Sequence, residues 1–146
     1  MTEIEAGFEY IDHPADIQLH SWGANFERAI EQMVTALSGV MFDLKGFNDQ
    51  ETEIIQISAN NLESLVYNFL SEFLFIFDTE DFVAKRCTIT KCDLQNFSIE
   101  ATAYGDKFDM EKHSSCRLTE VKAITYASMQ IIQEKPKTEI YVIVDL

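Results

Sequence analysis

Residues 62–92 read LESLVYNFLSEFLFIFDTEDFVAKRCTITKC. Up to Phe77 the apolar positions, Leu62, Leu65, Val66, Phe69, Leu70, Phe73, Leu74 and Phe77, recur at helical spacing. So wide a stripe belongs to a helix that is largely buried, against a sheet and against another helix. Asn60, with Glu63 three residues on, resembles a capping box at its start. After Asp81 the period changes. Phe82–Cys92 suits a strand, and the patterns that follow are strand patterns to the end of the chain. That switch decides the class, because the helices are confined to the first half.

Working back toward the N-terminus, Phe8–Ile11 reads as a short strand and Asp12–Ala15 as a turn around Pro14. Ile17–Trp22 alternates, with Ile17, Leu19 and Ser21 on one face and Gln18, His20 and Trp22 on the other. Gly23 ends it. Asn25 is suited to cap a helix whose apolar positions are Phe26, Ala29, Ile30, Met33, Val34 and Leu37. Its wet side carries Glu27, Arg28 and Glu31. Glu53–Ser58, with Ile54, Ile55 and Ile57, is a strand.

Working forward, Ser98–Tyr104, Lys107–Lys112 and Arg117–Thr125 suit strands, with turns at Asn96 and at Gly105-Asp106. Met129–Gln133 and Glu139–Val144 flank Glu134-Lys135-Pro136-Lys137, a hairpin. Tyr141–Val144 is apolar on both faces, as in a strand inside a sheet. The order is β-β-α-β-α and then strands. Two helices cannot cover so many strands on both sides, so the expected class is α+β: two helices packed on or between largely antiparallel sheets.

The chain's 146 residues fit one domain, 1–146. With 25 Asp and Glu against 11 Lys and Arg, the formal charge is −14. Such a surface repels phosphate backbones, so no direct nucleic-acid binding is expected; cations and basic protein surfaces are the better partners. Cys87, Cys92 and Cys116 form an odd set without Cys-x-x-Cys spacing, read as free thiols in a reducing compartment. On a continuous strand Cys87 and Cys92 would face opposite ways. Glu3 and Glu5 stand where a signal peptide needs positive charge and then an apolar run. No apolar run is long enough to cross a membrane. The expectation is a soluble intracellular protein without a membrane partner, in the cytoplasm, the nucleus or both.

Asp16 opens a strand on its more polar face, and Asp145 ends the last strand one residue before the chain stops. Leu146 therefore brings its α-carboxylate beside the Asp145 side chain. Carboxylate oxygens at such a point suit Mg²⁺, Ca²⁺ or Mn²⁺ better than zinc. A turn cap and a solvated chain end account for the same residues without a metal. His13, Asp16 and His20 can also be read as zinc ligands, with no fourth ligand in evidence. His113, near Asp109 and Glu111, reads as a solvated histidine. Trp22 is suited equally to a partner contact and to packing on its strand, and Lys122 either reaches for water or meets an anionic group. The sequence has no phosphate-binding glycine loop, dinucleotide fingerprint or nucleophile elbow.

Residues 8–23, with Asp12-His13-Pro14-Ala15-Asp16 at their centre, resemble the opening of the archease family, in which an Asp-His-Thr-Ala-Asp turn enters a strand ending in glycine. Pro14 replaces the usual threonine and leaves both aspartates. Val121–Tyr126 is similar to a second archease segment. Val142-Ile143-Val144-Asp145-Leu146 matches the family's hydrophobic-Asp-hydrophobic ending. The resemblance covers nearly the whole chain. It implies a strand-helix-strand-strand unit inserted within another, bringing the first and last strands together. It also implies a metal ion, calcium or another hard divalent cation, held by Asp16, Asp145 and the Leu146 carboxylate. Asp12 and Lys122 are implied as further functional contacts. The implied role is a non-enzymatic activator of an RtcB-type GTP-dependent RNA-splicing ligase, promoting its guanylylation and repeated turnover in transfer-RNA splicing and RNA repair. A metal-dependent hydrolase and a chaperone-like protein-binding module are the alternatives.

Overall fold

The computed structural model describes residues 4–13 and 16–146, with Asp12 and His13 described in their backbone only. The strands are β1 (Gly7–His13), β2 (Asp16–Gly23), β3 (Glu51–Ser58), β4 (Phe82–Asp93), β5 (Ser98–Lys107), β6 (Ala123–Ile124), β7 (Gln130–Glu134) and β8 (Lys137–Asp145). The helices are α1 (Phe26–Met41), α2 (Leu62–Glu80) and a single turn, α3 (Met110–His113). One antiparallel sheet has the order β1-β2-β8-β6, with β7 also paired to β8; the other has the order β3-β5-β4. The β3-α2-β4-β5 unit is thus inserted between α1 and the closing strands of an outer unit, β2-α1-β7-β8. The class is α+β, as expected.

α1 lies between the sheets, against β2 on one side and β4 on the other. That position needs a helix apolar over most of its circumference, and its buried residues include Phe26, Ala29, Ile30, Met33, Val34 and Leu37. Asn25 caps it, accepting from the Arg28 N–H at 2.9 Å. On β2 the inward face carries Leu19 and Ser21, both fully buried. The Ser21 hydroxyl donates to the Ala29 carbonyl at 2.8 Å, tying strand to helix. α2 starts one residue later than the capping box suggested. Asn61, not Asn60, accepts from the Ser64 N–H at 2.8 Å. Leu65, Val66, Phe69, Leu70 and Phe73 of α2 enter the same core cluster as α1 and both sheets. Truncating a fully buried side chain such as Phe69 to alanine costs about 3–5 kcal/mol.

Several sequence expectations fail here, each for a physical reason. Gly105-Asp106 is not a turn but lies within β5. The glycine is needed because β4 bulges between Ala84 and Arg86, and a Cβ on Gly105 would stand 1.8 Å from the Val83 carbonyl oxygen. Lys107–Lys112 is not a strand. Asp109 instead caps α3, accepting from the N–H groups of Glu111 and Lys112. Arg117–Thr125 leaves the sheets except at β6. Its Leu118 and Thr119 N–H groups donate to the Met41 and Val40 carbonyls, satisfying acceptors left open at the end of α1.

A second bulge, between Ile89 and Lys91, reverses the facing of everything after it. Cys92 therefore joins Cys87 on the inward side instead of opposing it. The same bulge frees the Ile89 N–H, which donates to Glu31 Oε2 at 2.8 Å. Glu31 is thus drawn against β4 and is not on a wet face; its side chain is 12% exposed. Burial pushes the Cys87 thiol up to about 12, with Glu31 adding to the rise. All three cysteines are free.

Candidate functional site

The antiparallel pairing of β2 with β8 sets Asp16 directly opposite Asp145, 129 residues away in sequence. In such a pair the two Cβ atoms stand about 5 Å apart and like charges oppose folding. β6 flanks β8 on its other side, with Ala123 opposite Asp145. The Lys122 N–H donates to the Asp145 carbonyl at 2.9 Å. One strand end thus gathers Asp16, Asp145, the backbone of Lys122 and the terminal Leu146. Asp145, Leu146 and Lys122 are exposed, while Asp16 is half-buried.

Two carboxylates facing each other across a ladder fit a hard divalent cation in donor type and charge. Among the described residues there is no group of three or more His, Cys, Asp or Glu placed to hold a metal. The Asp12 side chain lies outside the described residues, as does that of His13.

His20 is committed elsewhere. Its Nδ1 lies 2.6 Å from Glu9 Oε2 and its Nε2 lies 2.9 Å from Glu139 Oε1. The ring stacks on Tyr141 with centroids 4.1 Å apart. Both nitrogens are occupied, which removes His20 as a zinc ligand. Trp22 lies over the Gly7 backbone, where a Cβ would come within 2.7 Å of the indole, and is half-buried there. Burial, with Glu139 and Glu9 nearby, raises the Tyr141 hydroxyl above its usual value.

His113 overturns its expected solvated role. It is 4% exposed and stacks on Phe47 at 4.1 Å. Its Nδ1 accepts from the Asp109 N–H at 2.9 Å, and its Nε2 lies 3.8 Å from Asp106. It is a structural residue of an aromatic cluster with Phe47 and Phe108. Arg117, which sequence reasoning passed over, lies with its guanidinium 5.7 Å from the Phe77 ring centre and 5.5 Å from that of Phe108. It lines a cleft together with Lys122. Only the path of residues 117–122 across the ends of α1 and α2 creates that neighbourhood, and no local motif signals it. Among the described residues, no helix is long and apolar enough to cross a membrane.

The family model for the archease protein family matches residues 8–146. The chain is 43% identical to a Drosophila melanogaster protein named archease-like, over 97% of this chain and 92% of that one. The solution structure of Methanobacterium thermoautotrophicum protein 1598 superposes with a TM-score of 0.75 at 30% identity, over 96% of this chain and 99% of that one. The crystal structure of an archease from Thermotoga maritima, described as a possible chaperone, gives a TM-score of 0.65 at 18% identity, over 93% and 94%, and bears on the fold alone. This chain belongs to the archease family.

Proposed function

We propose that this protein activates an RtcB-type GTP-dependent RNA-splicing ligase, without catalysing the reaction itself, and acts as a single domain over residues 1–146. Membership of the archease family supports the reading, and the Asp16–Asp145 pairing at the chain end is the observation that carries it. The charge of −14 turns unaided RNA away, so the contact that matters is with the ligase. Asp16, Asp145 and the Leu146 carboxylate would hold a hard ion, Ca²⁺, Mg²⁺ or Mn²⁺. Bound there, it supplies a positive centre able to meet phosphate oxygens.

The protein's own residues have separable tasks in this reading. The β2–β8 ladder holds the two aspartates at fixed spacing. The Lys122 N–H to Asp145 bond fastens the last strand to the segment that carries the Lys122 ammonium. That ammonium, on an exposed residue, meets an anionic group of the ligase or its nucleotide. The protein works inside the cell, in the cytoplasm, the nucleus or both.

The direct test is guanylylation. Purified ligase is incubated with labelled GTP, with and without a catalytic amount of this protein. A higher yield of the guanylylated ligase supports the proposal; an unchanged yield contradicts it. Phosphate release by this protein alone, lost in Asp16→Ala, would instead make it a metal-dependent hydrolase.

A further inference from the structure

A cleft of about 190 Å³ lies where α1 and α2 end, beneath the 117–122 segment. Met41, Leu74 and Phe77 supply its apolar surface. Asp78 and Glu120 contribute carboxylates, and Arg117 and Lys122 contribute cations. Among the described residues neither cation makes an ion pair, although acids outnumber bases 25 to 11 in the chain. Arg117 is held over the Phe77 and Phe108 rings and Lys122 is exposed, so both cations stand beside the apolar surface of the cleft without a carboxylate partner among the described residues.

We propose that this cleft binds a nucleoside phosphate. The volume accepts one flat ring, and Phe77 with Leu74 and Met41 offers it an apolar seat. The carboxylates of Asp78 and Glu120 accept from the ring's N–H groups. Arg117 and Lys122 take the phosphate oxygens through charge-assisted hydrogen bonds. An acidic peptide would use the cations but set its own charge against Asp78 and Glu120. A bare anion would leave the apolar seat empty. A nucleotide answers both signs of charge and the apolar surface together. The inference goes beyond the activator role and needs no metal.

The test is titration calorimetry on the full-length protein in chelator, with GDP, ADP, CDP and UDP as probes. Pyrophosphate, guanosine and a short acidic peptide carrying one phenylalanine serve as controls. At least one nucleoside diphosphate is expected to bind saturably, and both pyrophosphate and guanosine about tenfold or more weakly. Lys122→Ala and Arg117→Ala, both at exposed positions, should each weaken the nucleotide about tenfold. Amide shifts should concentrate at residues 41–42, 74–78 and 117–122. Absence of saturable nucleotide binding at millimolar concentration would overturn the proposal. So would pyrophosphate binding as tightly as the nucleotides, indifference to both substitutions, or binding of the acidic peptide alone. None of these outcomes would alter the ligase result, so the two readings fail separately.

Discussion

Asp16 and Asp145 face each other across the β2–β8 ladder, which joins the beginning of the chain to its end. An unfavourable pairing of like charges is thereby built into the centre of a sheet at its rim. In the proposed reading a divalent cation offsets that repulsion, with the Leu146 carboxylate as third donor.

The free C-terminus is therefore expected to matter as much as a side chain. Adding a few residues after Leu146 should weaken Ca²⁺ or Mn²⁺ binding about tenfold or more, the scale of one lost charged contact. Asp16→Asn should do the same. Calorimetry on the three forms checks this, and equal affinity in the extended form would remove Leu146 from the ligand set.

Gly105→Ala is expected to destabilise the fold by about 3 kcal/mol or more, since its Cβ would strike the Val83 backbone carbonyl. Chemical denaturation reads this directly. A loss below about 1 kcal/mol would mean that β4 can move away at the bulge.

Glu31→Ala should cost about 1–3 kcal/mol, because the Ile89 N–H at the second bulge then loses its acceptor. Glu27→Ala, on the same helix, serves as the control. Equal small losses in the two would show that the bulge is satisfied in another way.

The thiols set an alkaline limit. Burial raises Cys87 to about 12 and Cys92 to about 11 from an ordinary 9.0. The unfolded chain releases these protons first, so their contribution is complete below about pH 9 and declines as pH rises toward 11 and 12. Denaturation midpoints from pH 8 to 11 should fall, and fall less in Cys87→Ala relative to its own value at pH 8. At neutral pH, iodoacetamide should label Cys87 only as fast as the protein opens.

Much of the first half was legible before folding. β1, β2, α1, β3 and α2 follow from alternation, helical spacing and an asparagine cap, because local pattern and the demands of the core agree there. The stretch from Lys107 to Thr125 was not. Val121 and Ile124 are buried as a strand's residues would be, yet Leu118 is 57% exposed and the backbone serves the end of α1. His113 stands among charged residues in sequence but stacks on Phe47, which only tertiary packing brings near. At the site, the residue types at both ends were readable, whereas the register that pairs Asp16 with Asp145 arises from a contact across the whole chain.

The central claim is tested by counting ligation events per ligase molecule. Purified RtcB-type ligase, GTP and broken RNA in excess are incubated with a sub-stoichiometric amount of this protein or of its Asp145→Ala form. The account expects ligation to rise well beyond one event per ligase with the native protein and to fall back sharply with Asp145→Ala. A yield that stays at one event per ligase with the native protein, or rises equally with both forms, would contradict it.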